Sequence, residues 1–142
     1  MSVSGLAHVL VLSDDIDATC DFYRDVVGLR VGPRPPLRFP GYWLYADGPS
    51  ACLHVAERGP YLEHAAMLGL EATDAETDTD AAGLQASGGA LDHIAFAESD
   101  YEAVLARIQD CGVTPVRNAV PGGPRQLFVD DPNGVRVEIN VK

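Results

Sequence analysis

The chain repeats itself. Leu6-Ala7-His8 matches Leu91-Asp92-His93 at an offset of 85, Gly28 matches Gly112 at 84, and the turn Asp47-Gly48-Pro49 matches Asp130-Asp131-Pro132 at 83. Three matches in order, drifting by a residue at a time, are what a duplicated unit with small loop insertions leaves behind. A fold built from this sequence must therefore use one supersecondary unit twice, and equivalent positions in the halves must do equivalent work.

Each half predicts the same succession of elements. An apolar strand carrying a histidine opens it (6–12 and 91–97), a helix follows, and three short strands close it (29–33, 42–47 and 51–57; 114–119, 125–130 and 134–141). Asp14 or Asp15 can cap the first helix, and Ser99 with Glu102 reads as a capping box for the second. Ile16, Cys20, Tyr23 and Val27 share one helical face; Tyr101, Val104, Leu105 and Ile108 share the other. Gly28 and Gly112 stand where these helices should stop. The reading is α+β, with two tandem βαβββ modules at 1–60 and 91–142. Between them, residues 61–90 form an insert. Tyr61, Leu62, Met67 and Leu68 can make a short helix there, and residues 71–80 carry five acids and no base. Such a stretch buries too little apolar area to order itself, so it reads as a surface linker, with a lid over a ligand as the alternative.

Composition narrows the function. With 142 residues, 46% of them apolar, the chain can bury a core without staples. No apolar run approaches the length of a membrane span, and MSVSGLAHVL lacks the basic start of a secretory signal. A net charge of −11 is repelled by phosphate backbones. Three cysteines without C-x-x-C spacing read as reduced, buried thiols of a cytoplasmic protein.

Strand alternation then sorts the polar residues. Val135, Val137, Ile139 and Val141 share one face of the last strand, and Arg136, Glu138 and Asn140 the other. Ile94 and Phe96 oppose His93, Ala95 and Ala97. Leu53 and Val55 oppose His54, and Val9 and Val11 oppose His8. Each sheet should pack a bulky apolar side on its helix and leave a small, polar, imidazole-bearing side. His8 and His93 open the modules, His54 and Glu138 close them, and the pairs are 46 and 45 residues apart. If the modules pair by pseudo-twofold symmetry, the four side chains converge. Neutral imidazoles with one carboxylate suit Mn, Fe, Co, Ni or Zn as divalent ions. Taken singly, each histidine is an ordinary strand residue and Glu138 a solvated one; the joint placement makes the case. Structural zinc fits poorly, since no cysteine has ligand spacing. His64 has no repeat equivalent and reads as a surface residue. Phe39, Trp43, Tyr45, Phe96 and Phe128 are candidate pocket walls, although aromatics more often simply pack a core. Arg34, Arg38, Arg125 and Gln126 are candidates for a substrate carboxylate or phosphate, against the plainer reading of solvated surface groups. Prolines 33, 35, 36 and 40 stiffen a loop near the expected cleft mouth.

The segments L-A-H-V-L-V (6–11), D-F-Y-R-D-V-V-G-L (21–29), L-D-H-I-A-F (91–96) and D-D-P-N-G-V-R-V-E (130–138) resemble the vicinal oxygen chelate superfamily. That superfamily includes glyoxalase I, bleomycin-resistance proteins, fosfomycin-resistance enzymes, methylmalonyl-CoA epimerase and extradiol dioxygenases. The resemblance spans nearly the whole chain outside the insert. It implies paired βαβββ modules forming a cupped mixed sheet around a divalent metal, with ligands matching His8, His54, His93 and Glu138. Bleomycin-resistance proteins lack such ligands, so this chain is similar to the metal-binding branch. Departures separate it from each subfamily. Phe128 stands where extradiol dioxygenases have a tyrosine, and residues 115–127 hold no histidine. Leu10 replaces the threonine of fosfomycin-resistance enzymes. His54 replaces the glutamate of glyoxalase I, whose following asparagine has no counterpart at Val55–Glu57.

The expected protein is a metal-dependent, glyoxalase-like isomerase, epimerase or lyase. It would act on a small oxygenated metabolite through a metal-stabilised enolate or alkoxide, with Glu138 as ligand or as ligand and catalytic base together. Trp43, Tyr45, Arg38, Phe96, Arg125 and Phe128 are the substrate-binding candidates. The alternatives are an Fe(II) extradiol-type dioxygenase, whose triad would be His8, His93 and Glu138, and a binding protein that sequesters a metabolite or drug. The resemblance also implies a homodimer.

Overall fold

The duplication in the sequence is a duplication in the backbone. The computed structural model describes residues 2–70 and 90–142. The first module runs β1 (Val9–Ser13), α1 (Ile16–Phe22), β2 (Arg30–Gly32), β3 (Gly41–Tyr45), β4 (Ala51–Glu57) and α2 (Arg58–Met67). The second runs β5 (His93–Glu98), α3 (Tyr101–Asp110), β6 (Val116–Ala119), β7 (Arg125–Asp130) and β8 (Arg136–Val141). Each forms one four-stranded sheet, ordered β1-β4-β3-β2 and β5-β8-β7-β6. The first and last strands of a module pair parallel and the remaining neighbours antiparallel. The fold is α+β, with tandem βαβββ modules. The chain divides into two compact units along these lines, with Asp25–Val27 grouped with the second. Among the described residues no helix is long and apolar enough to cross a membrane.

Local chemistry explains the boundaries. Asp15 caps α1, its carboxylate accepting from the Ala18 N–H at 3.0 Å. After Phe22 the helix widens into a π-type turn, Tyr23–Val27. It closes when the Tyr23 carbonyl accepts from both Gly28 and Leu29 N–H groups, with Gly28 in the left-handed region at φ +93°. The cap of α3 corrects the sequence reading: Asp100, not Ser99, accepts from the Ala103 N–H at 3.0 Å. Glu102 is spent on Arg125 instead of a capping box. Asp100 wins because its carboxylate carries charge as well as reach at the positive end of the helix. The segment at Tyr61 is helical, as α2. The acidic stretch expected to be a linker or lid, residues 71–89, lies outside the described residues.

The cores follow the predicted faces. Tyr23, Leu44, Leu53 and Val55 are buried in the first unit, and Val104, Ile108, Leu127, Val137 and Ile139 in the second. All four residues assigned to the α3 face are buried. Cys20 is buried, Cys52 is half-buried and Cys111, just past the end of α3, is exposed, so the expectation of buried thiols holds only at Cys20.

The D-P-N-G segment is a turn with a purpose. Asp131 is buried, and its Oδ1 accepts from the backbone of Asn133 at 2.7 Å and of Val135 at 2.8 Å. Gly134 takes φ +83°, which a side chain would strain. This turn fixes where β8 begins and hence which face Glu138 occupies, since a one-residue slip would invert the strand. Asp131→Ala, leaving two backbone donors without their acceptor, should lower unfolding free energy by roughly 1–3 kcal/mol. Asp131→Asn, which keeps an acceptor oxygen, should lose less. Urea titrations of both variants check this.

Candidate functional site

The two parallel ladders place polar groups at equivalent points. In the first unit Leu10, two residues after His8, pairs with His54. In the second Ala95, two residues after His93, pairs with Glu138. Residues two apart share a strand face, so each unit presents its opening histidine and its closing polar residue on one side of its sheet. Among the described residues no three His, Cys, Asp or Glu side chains gather to hold a metal ion. Each unit offers two.

In the first unit the pair is embedded in aromatics. β4 lies between β1 and β3, and Trp43 of β3 is in register with His54. The His54 ring is therefore sandwiched. His8 stacks on it at 3.9 Å between centroids with 14° between planes, and Trp43 at 4.1 Å with 6°. Burial pushes the His54 imidazole down to a pKa of about 4, with the charges of His8 and Arg34 acting the same way. At neutral pH the ring carries no charge, the form a metal ligand requires. A cavity of about 140 Å³ opens beside it, lined by His8, Leu10, Phe39, Trp43 and Tyr61 among others.

In the second unit the pair is wired through hydrogen bonds. His93 Nε2 lies 3.0 Å from Glu138 Oε2, and its Nδ1 lies 2.8 Å from Asp92 Oδ2. Asp92 is in turn held by Arg136 at 3.0 Å. Its carboxyl sits below the ordinary range, chiefly through the His93 hydrogen bond and then through Arg136. Gln126 Nε2 donates to Glu138 Oε1 at 2.8 Å, and Asn118 Nδ2 donates to Gln126 Oε1 at 2.7 Å, which fixes the amide's orientation. Glu138 is buried although it is an acid on a strand. With Asp92 on Nδ1 and Gln126 on Oε1, the atoms left facing each other are one nitrogen and one oxygen. A divalent ion can take the place of the proton they share. The donor set fits a mid-row metal.

The other candidates fall in different places. Trp43 lines the cavity. Phe128 pairs with Glu138 and turns its ring edge-on to His93 at 6.4 Å. Tyr45 is buried and its hydroxyl is used by the Pro33 carbonyl at 2.6 Å. Phe96 alternates with His93 along β5 and so shares the face of Ile94. Arg125 points to the helix side of its sheet, over the Tyr101 ring and against Glu102. Arg38 is exposed on the proline loop. Arg34 donates to the Phe39 carbonyl at 2.6 Å. His64 corrects the sequence reading: it is half-buried against Phe39 and Tyr61, with Nδ1 fully covered. It lies on α2, whose packing no repeat signal announced. Sequence reasoning missed Asp92 and Arg136. The adjacency of Asp92 to His93 was a visible signal, but the role of Arg136 needed the β5/β8 register.

Tandem βαβββ modules, each presenting a histidine and a second group of a type that can ligate a metal on one face of its sheet, define a class of protein. The family model of the glyoxalase/bleomycin resistance protein/dioxygenase superfamily matches residues 5–139, and the chain belongs to that superfamily. It is 29% identical to lactoylglutathione lyase of Haemophilus influenzae over 140 residues, covering 94% of this chain and 89% of that protein. It is 27% identical to glyoxylase I 4 of Arabidopsis thaliana over 143 residues, covering 98% of this chain and 71% of that protein. Its fold matches that of TnmS3, an antibiotic binding protein from Streptomyces sp. CB03234, with a TM-score of 0.66, 20% identity, and coverage of 99% and 98% of the two chains.

The state of His54 is testable by pH. Its folded pKa of about 4 lies below the ordinary 6.5. The unfolded chain therefore takes up a proton first as pH falls. Its contribution to stability is complete above pH 6.5 and is lost progressively toward pH 4. Thermal scans should show this component in the wild type and its absence in His54→Phe. An NMR titration placing the His54 ring near its ordinary pKa would contradict the assignment.

Proposed function

We propose that the protein is a divalent-metal-dependent, glyoxalase-like enzyme, an isomerase, epimerase or lyase acting on a small oxygenated metabolite. His8 and His54 of one unit and His93 and Glu138 of the other would be the ligands of one Mn, Fe, Co, Ni or Zn ion. A homodimer is part of the proposal. The observation that carries it is the His93–Glu138 pair, one ring nitrogen facing one carboxylate oxygen with both remaining atoms already engaged. Metal-ligating histidines characteristically donate their second N–H to a carboxylate, which fixes ring and tautomer, and Asp92 supplies that partner. The neutral His54 ring supports the reading from the other unit. When bound, such an ion supplies a Lewis acid able to polarise two neighbouring substrate oxygens.

The chain's own residues supply the rest. Glu138 is the acid of this set, and its buried Oε2, facing His93, would be the atom that takes a proton from substrate. Gln126 holds the other oxygen and so keeps the carboxylate in one orientation. Phe128 places an apolar edge near His93 where a ring-cleaving dioxygenase of the resembling type would place a hydroxyl, which favours isomerase or lyase chemistry. One observation favours a second reading. The aromatic cavity of the first unit would also suit a protein that sequesters a small molecule without chemistry, and one fold relative is an antibiotic binding protein.

Elemental analysis decides between these. Wild-type protein purified without chelator should carry a stoichiometric ion, and His93→Ala and Glu138→Gln should lose it while keeping the circular dichroism of the fold. Full occupancy in both variants would overturn the ligand assignment, and a metal-free wild type that still binds small molecules would favour sequestration. Asp92→Ala, which touches the ring and not the ion, should weaken metal affinity about 10- to 100-fold in competition with a chelating dye.

A further inference from the structure

The cavity in the first unit measures about 140 Å³. Sites for drug-sized ligands run to roughly 300–1,000 Å³. An apolar cavity of about 150 Å³ is the size that takes a benzene ring. The volume therefore fits one planar ring.

Its walls are made for a ring. Phe39 and Tyr61, both in the wall, meet edge to face, 5.1 Å between centroids at 88°, one of the arrangements aromatic pairs prefer. Leu10 and Leu37 supply aliphatic contact, and Trp43 and His54, stacked on each other, also line the space. Arg34 stiffens the Phe39 wall, its guanidinium 5.3 Å from that ring's centroid and bonded to the Phe39 carbonyl, and it does not itself line the cavity. His8 and His54 line the cavity together with the apolar groups, so a ligand held there can meet both aromatic rings and imidazoles.

We propose that this cavity is the side-chain pocket of the substrate, and that the substrate carries a single aromatic ring directly attached to its pair of neighbouring oxygens, as in an aryl α-hydroxy or α-keto acid or aldehyde. The proposal rests on the metal reading above for the placement of the oxygens, but not for the pocket itself.

Trp43 is the only tryptophan of the chain and lies in the cavity wall, so its emission reports directly on occupancy. Zn²⁺-loaded protein is titrated with benzohydroxamate and with acetohydroxamate, which share one chelating head and differ by phenyl against methyl. Benzohydroxamate should bind roughly 10- to 100-fold tighter, the gain expected from burying a ring. That preference should shrink in Tyr61→Ala, which opens the wall, and in Leu10→Phe, which fills the space. Equal affinity for both probes overturns the aryl assignment and leaves the metal reading standing. If the protein holds no Zn²⁺, the metal reading fails instead, and benzyl alcohol on metal-free protein decides the pocket. A saturable change in Trp43 emission, lost in Leu10→Phe, supports it, and no change overturns it.

Discussion

Parallel pairing of the first strand of each module with its last is the constraint on which the site depends. It brings the two ends of a βαβββ unit side by side, so residues some 45 positions apart in the chain become neighbours on one face. A parallel pair needs a crossover connection, here a helix, and that helix covers the opposite face. The apolar side of each sheet is thereby consumed by the core. What remains on the free side is whatever the alternation leaves there, and in both modules that is an imidazole and a second ligating group. The same register that buries Val137 and Ile139 puts Glu138 between them in sequence and across from them in space.

The two half-sites solve the problem of holding ionisable groups in different ways. His54 is enclosed by rings and pushed to its neutral form, so no counter-charge is required. Glu138 is enclosed while hydrogen-bonded at both oxygens, the condition under which a buried carboxylate is tolerated. One solution is apolar and the other polar. The first unit carries the cavity and the second the buried carboxylate.

Much of this was legible in the chain. Repeat offsets gave the module pair, period-two alternation sorted His8, His54, His93 and Glu138 from the core, and helical spacing found the buried face of α3. Local caps were less legible. Ser99 and Asp100 are adjacent, both can cap, and only the backbone angles at Asp100 decide between them. Side-chain destinations were least legible, because they depend on register across strands that the sequence does not state. Arg125 reads as a substrate ligand until its odd position in β7 turns it toward Tyr101. His64 reads as surface until α2 packs it against Phe39. Asp92 was overlooked because alternation assigns it to the wrong face, yet it sits just before the first ladder pair of β5. There the chain is free to swing its carboxylate onto the neighbouring ring.

Position 54 shows how one strand residue shapes the space beside a sheet. A glutamate there would need charge compensation or solvent, whereas a histidine can be stacked upon. Trp43 is in register with His54 and covers one of its faces, so the choice of imidazole permits an aromatic wall close to the proposed ligand. Phe39 and Tyr61 extend that wall from outside the sheet, on the proline loop and on α2. These are elements that can vary without disturbing the β1/β4 ladder. Phe39 and Tyr61 are thus separable from the residues that set the register, whereas Leu10, Trp43 and His54 both line the cavity and pair in the ladders.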